Sequence, residues 1–256
     1  MYAAIVTDSY RDASSPAQVL GRDTRGLYRS TDNGANWTRL EIRETNNRFV
    51  NPCDIEIDIS NNIWMATTSR VSGLVGGRIY KSSNGIDFTL VNTLPSAART
   101  EIEVSSLDVN KLWAVVNNAS GGQVANIYGT TDGFENFTQL NEPNDVDEDI
   151  PETDYTRGQA FYDLVIEVDP TNDNILYAGG IDLFRSSDAG ENWIQISKWS
   201  NNNNLGPMKI ANVHADQHSW AFHPTDANKA LIGNDGGVYY ASALSLASSD
   251  ENVISV

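Results

Sequence analysis

Apolar residues in this chain come in short alternating runs. Asp54–Ser60 reads DIEIDIS and Glu101–Ser106 reads EIEVSS. This period of two belongs to a strand with two unlike faces. Other runs rich in Val, Ile, Tyr and Trp recur along the chain, broken by Asn, Asp, Gly and Pro, the residues that turn a chain between strands. No stretch holds a helical period long enough to compete. The pattern predicts an all-β protein. Between residues 161 and 196 it predicts four strands, Phe161–Asp169, Ile175–Ala178, Leu183–Arg185 and Trp193–Ile196, with a turn at Pro170–Asn174.

The last two of those strands belong to a segment that recurs. Leu27–Leu40 reads LYRSTDNGANWTRL and Leu183–Ile196 reads LFRSSDAGENWIQI. Weaker copies occupy Ile79–Val91 and Ile127–Leu140, and a degenerate fifth starts at Gly237–Ala243. The aligned residues Ser30, Ser82, Thr130 and Ser186 lie 52, 48 and 56 residues apart. Such a period implies units too small to bury their own faces, and four-stranded units of this length are the blades of a β-propeller. The expected blades are 1–41 (partial), 54–91, 101–140, 161–197 and 214–256 (partial), one propeller region of four to five blades in an incomplete ring. The first unit lacks its opening strand, because Met1–Val6 matches the second-strand phrase ILYAGG of the fourth unit. The tail Asn252–Val256 either ends the last blade or closes a five-bladed ring as the missing opening strand. An arc with open blade faces is expected to associate, and the chain reads as a piece of a longer propeller protein.

Two copies, Ser30, Asp32, Gly34, Trp37 and Ser186, Asp188, Gly190, Trp193, spell S-x-D-x-G-x-x-W in full. The second copy is one residue shorter and ends in Phe88; the third has Phe134 in place of Gly and ends in Phe137. On these residues the chain resembles the Asp-box (BNR-repeat) propellers, a group holding sialidases, xyloglucanase-type glycoside hydrolases, the sortilin ligand-binding domain and exported bacterial repeat proteins. The phrases DPTNDNILYAGG and HADQHSWAFHP are most similar to the last group. The resemblance covers nearly the whole chain and implies a place outside the cell or at its surface. The box residues themselves read as structural. A short carboxylate accepts hydrogen bonds from turn amides, glycine supplies a positive φ, and the indole buries a large ring.

Strand alternation then separates two faces. Turns on the box face are short, whereas the connections 7–26, 42–53, 68–77, 92–100, 117–124, 141–159 and 197–213 all fall on the other face. Long loops on a rigid scaffold are where binding concentrates, so function is expected opposite the boxes.

Charge narrows the partner. With 17 Lys and Arg against 34 Asp and Glu, the formal net charge is −17, a field that repels nucleic acid and anionic membranes. No apolar run is long enough to cross a membrane as a helix, and MYAAIVTDSYRD lacks the form of a signal peptide. The single Cys53 excludes an internal disulfide and a multi-thiolate metal site.

Three features on the long-loop face carry candidate chemistry. His214, Asp216 and His218 alternate along an extended segment and suit zinc or a similar divalent metal. They span about 13 Å unless the strand bends, and the alternative is a hydrogen-bonded cluster tying down Asn234–Gly237. Asp145, Asp147 and Asp149 have calcium-loop spacing, but Ile150 and Thr156 stand where an EF-hand needs Gly and Glu; a weak calcium site or a solvated loop remains. Trp199 either stacks on a sugar ring or anchors its loop. Trp64 and Trp113 read as packing. The function expected is a module binding a protein or glycan without catalysis of its own. The alternative is a fragment of a glycoside hydrolase with paired Asp carboxylates, xyloglucanase-like more than sialidase-like, since Arg78-Ile79 is followed by Tyr80 and arginines are few. Asp54, Asp163 and Asp216 lie near inner-strand entries, but nothing selects a pair, so no catalytic residue is assigned.

Overall fold

The computed structural model describes residues 1–6, 24–69, 75–118, 120 and 124–256. The expected loops 7–26, 68–77 and 117–124 fall partly outside these residues. The chain forms five successive antiparallel sheets. The first holds β1 (Tyr2–Ile5), β2 (Gly26–Arg29) and β3 (Thr38–Arg39). The second holds β4 (Pro52–Ile57), β5 (Ile63–Thr67), β6 (Arg78–Ser82) and β7 (Thr89–Thr93). The third holds β8 (Ala97–Val104), β9 (Leu112–Asn118), β10 (Ala125–Thr130) and β11 (Thr138–Gln139). The fourth holds β12 (Val165–Val168), β13 (Leu176–Gly179), β14 (Leu183–Ser186) and β15 (Trp193–Gln195). A parallel pair, β16 (Ser197–Lys198) and β17 (Ala211–Asn212), follows it. The fifth sheet holds β18 (Gln217–His223), β19 (Asp226–Asn234), β20 (Gly237–Ala241) and β21 (Ile254–Ser255).

These are propeller blades. Successive sheets touch along β1, β4, β8, β12 and β18, the innermost strand present in each, and the sheets form an open arc rather than a closed ring. The tail alternative is resolved: Ile254–Ser255 pairs with Tyr240–Ala241 as the fourth strand of the last sheet. Phe161–Asp163 precede β12 rather than forming part of it.

The second strands are sandwiched on both faces, so β5 (IWMAT) and β9 (LWAVV) are apolar without alternation. The core lies between blades. Leu27, Met65 and Tyr80 fill the first junction, and Trp64, Ala114 and Phe134 the second. Trp113, Ile166 and Phe184 fill the third, and Tyr177, Leu183 and Ile232 the fourth. Register fixes direction. Val168, Leu176, Ser186 and Trp193 stand level at one end of the fourth sheet, and Val165, Gly179 and Leu183 at the other. The S-x-D-x-G-x-x-W hairpins therefore lie at one end of the sheet and the entry to β12 at the opposite end.

Each hairpin is a closed polar knot. Ser30 Oγ donates to Asp32 Oδ1 and accepts from the Gly34 amide, both at 2.8 Å. Asp32 also accepts from the backbone and side chain of Asn36 at 2.9 and 2.7 Å. Ser186, Asp188 and Asn192 repeat this arrangement, as do Thr130, Asp132 and Asn136. Gly34 and Gly190 take φ of 88° and 90°. In the shortened second copy, Asn84 does the work of the Asp, accepting from the amides of Ile86 and Asp87. Asn36, Asn136 and Asn192 lie outside the S-x-D-x-G-x-x-W pattern, yet each supplies two of its carboxylate's donors.

Candidate functional site

The face opposite the hairpins is built around the entries to the inner strands. Asp145 and Asp147 belong to the acidic loop, and both are paired with Arg157. Its Nε and Nη2 reach Asp145 Oδ2 at 2.9 and 2.8 Å, and its Nη1 reaches Asp147 Oδ2 at 3.0 Å. The guanidinium stands between two carboxylates of a loop whose Glu148, Asp149 and Glu152 are exposed. It also lies 5.7 Å from the centre of the Trp199 ring, within cation–π range. The ring of Trp199 is 42% exposed, so it is a surface ring held by a neighbour and not a buried anchor. Beneath, Asp182 is fully buried. Its carboxylate accepts from Gln195 and Ser197, and burial followed by the nearby Asp145 pushes its pKa well up despite Arg157.

The three candidate zinc ligands do not converge. Asp216 takes a left-handed backbone, φ 66°, which breaks the alternation that would put His214 and His218 on one side with it. His214 Nδ1 turns to its neighbour's carbonyl, Ala215 O. His218 Nε2 instead meets Asp235 Oδ1 at 2.7 Å. Among the described residues no group of three His, Cys, Asp or Glu side chains is placed to hold a metal. The segment meets residues 234–237 through His218, bonded to Asp235, and through Gln217, which accepts from Asn234.

Around His218 lies an arrangement the sequence did not point to. Tyr162 donates to both oxygens of Asp235 at 2.9 and 3.1 Å, and its ring meets His218 edge-on at 4.8 Å. His218 and Tyr162 together hold Asp235 below its ordinary pKa. Arg99 donates to the Tyr162 carbonyl and pairs with Glu101 at 2.6 Å. Phe161 and Tyr162 are exposed, and with Arg99, Glu101, Cys53, Thr68 and Val6 they bound a cavity of about 400 Å³. The sequence signal was available but misread. Two adjacent aromatics looked like a strand, although alternation would have buried only one of them. Next to them Asp163 is fully buried, and neither of its carboxyl oxygens has a hydrogen-bond partner among the described residues. Burial foremost, with Asp216 adding to it, raises its pKa to about 8.

Below the mouth, carboxylates converge where the inner strands meet. Asp54, Glu56, Glu101, Glu103 and Glu167 line a narrow space of about 190 Å³. Burial raises Glu56 to about 7 and Glu101 to about 8, and the Asp54 charge adds to both. Glu103 and Glu167 are raised well above the usual range, by burial and then by neighbouring carboxylates.

No protein-family model matches the chain, and no curated protein sequence does. Solved structures do match. The chain superposes on the GH74 xyloglucanase of Xanthomonas campestris with TM-score 0.57 at 18% identity, covering 87% of this chain and 34% of that one. YCF48 from Cyanidioschyzon merolae gives TM-score 0.52 at 17% identity, covering 84% and 60%. An auxiliary nutrient binding protein of Bacteroides ovatus gives 0.50 at 11%, covering 90% and 53%. The chain thus spans between about a third and three fifths of their lengths. At these identities the likeness shows the fold: the chain is a β-propeller.

Proposed function

We propose that this chain is an Asp-box propeller module, its blades falling at the boundaries read from the repeat, that binds a protein or glycan through its long-loop face. We place it outside the cell or at its surface and give it no catalysis of its own. One observation carries this reading. Three exposed rings, Phe161, Tyr162 and Trp199, stand on loops at the inner-strand entries, Tyr162 fixed by Asp235 and Trp199 beside Arg157, while the polar groups of the hairpins at the opposite end of the blades are closed on themselves. Flat rings held in place lose little entropy on binding and suit both sugar faces and apolar side chains. The likeness to a nutrient binding protein is in keeping with this. A hydrolase fragment is the second reading, favoured by the raised pKa of Asp163, to which the Asp216 charge adds, and by the xyloglucanase likeness. Against it, Asp163 is wholly buried, and a general acid must touch its substrate.

The test is a binding screen against xyloglucan, other soluble β-glucans, sialosides and an immobilised random peptide library. The expected hits weaken at least tenfold on Trp199→Ala or on Phe161→Ala with Tyr162→Ala, and are unchanged by Asn136→Ala on the hairpin face. Hits blind to the first changes, or glycan turnover abolished by Asp216→Asn, overturn the reading.

A further inference from the structure

The four internal junctions are made alike: one face of each sheet packs on the sheet before it, the other on the sheet after. Strand register identifies which residues do which. In the fourth sheet Tyr177 and Leu183 face forward and are buried against the fifth. Ala178 and Phe184 face back and are buried against the third.

Among the described residues, no further sheet packs on the same positions in the outermost sheets. In the fifth sheet, Leu231 and Val238 occupy the places of Tyr177 and Leu183. They are 51% and 59% exposed, and Tyr240 beside them 42%. With Ala221 paired to Leu231 and Leu231 to Tyr240, an apolar row crosses three strands. In the first sheet, Ala3 and Tyr28 occupy the places of Ala178 and Phe184. With Ile5, Thr24 and Trp37 they bound an open groove of about 360 Å³.

Trp37 supplies an internal control. Its counterpart Trp193 donates its indole N–H to Asn141 O, in the connection that leaves the preceding sheet, at 2.8 Å. Trp37 has no preceding sheet among the described residues and donates to Gly34 O of its own hairpin, at 3.0 Å.

One end of the arc therefore presents a forward face and the other a backward face. These are the two halves of a blade junction of the kind this chain makes four times, and the open arc keeps them apart. We propose that a second copy of this chain supplies the missing half, the fifth sheet of one copy seating on the first sheet of the other. The contact is heterologous, so two copies close on each other or the pairing runs on. It is separate from the long-loop face and does not depend on what that face binds. Each copy carries a net charge of −17, so the apolar contact works against repulsion that salt screens.

Sedimentation and light scattering across concentration and salt test it. The expected mass rises above 28.0 kDa with concentration, and the association strengthens at least tenfold from low to high salt. Leu231→Glu alone and Ile5→Glu alone are each expected to stay monomeric with an unchanged circular dichroism spectrum, and their equimolar mixture to give a 1:1 dimer and nothing larger, since each retains the half the other has lost. Tyr240→Lys replaces Leu231→Glu if that variant misfolds. A wild-type chain monomeric up to about 100 μM overturns the proposal. So does a single variant that still self-associates, which means like faces pair, or a mixture that stays monomeric.

Discussion

Ser186 Oγ donates a hydrogen bond to Asp188 and accepts from the amides of Asp188 and Gly190. Ser186→Ala therefore strands a buried amide and loosens the carboxylate that holds Asn192. A loss of about 1–3 kcal/mol is expected, read as a Tm lower by several degrees. Ser186→Thr stays near wild type, because Thr130 performs the same role in the third hairpin. At the opposite face the equivalent test is Arg157. Its removal leaves Asp145, whose side chain is fully buried, without its counter-charge. Arg157→Met is expected to destabilise by about 3–5 kcal/mol, the range for breaking a buried pair. It also removes the cation near Trp199, so the fluorescence of that ring shifts. Because the wild-type loop already holds a guanidinium, millimolar calcium is expected to leave the wild-type Tm unchanged; a calcium-dependent rise would show that the acids still bind an ion.

At the scale of strands and hairpins, most of what the sequence offered was repetition. The hairpin phrases placed β2, β6, β10 and β14, because a motif that must bury a ring and close a turn tolerates little drift. Period two placed β4 and β8. The long-loop face was legible only as a location. Asp145 and Asp147 lie ten and more residues from the arginine that pairs with them, and Tyr162 lies 73 residues from Asp235; no local pattern joins such partners. His214, Asp216 and His218 misled for a physical reason, since the alternation argument holds only on extended backbone and Asp216 leaves it. Phe134 is the instructive hairpin residue. It takes φ 64°, an unfavourable place for a bulky side chain, and its ring is fully buried in the junction with Trp64 and Tyr128. Packing outweighs backbone strain there. Phe134→Ala is accordingly expected to cost about 3–5 kcal/mol in denaturant unfolding, and Phe134→Gly slightly less, since glycine relieves the φ. Phe134→Gly matching wild type would mean the ring contributes little.

For the whole molecule, the two ends of each blade impose opposite pH dependences. In the hairpins, the Asn36 side chain, the Asn36 amide and Ser30 lower Asp32 to about 2, and the same kinds of partner lower Asp132 and Asp188. A carboxyl with a depressed folded pKa contributes stability above its ordinary value near 3.8 and loses it as pH falls towards the folded value. At the centre the sign reverses. Glu56 and Glu101 rise from 4.5 to about 7 and about 8, and Asp163 from 3.8 to about 8, burial leading in each case. The folded state there binds more protons than the unfolded one between those limits, so stability falls as pH climbs from about 4.5 through about 8. The two slopes meet near pH 4 to 5, where Tm is expected to peak; thermal unfolding between pH 2 and 9 reads it directly. Glu56→Gln with Glu101→Gln is expected to flatten the upper slope and leave the lower one intact, since the hairpins are untouched. A Tm that rises steadily from pH 5 to 8 would mean that the inner carboxylates ionise at their ordinary values, with water in the central space solvating them as well as bulk solvent does.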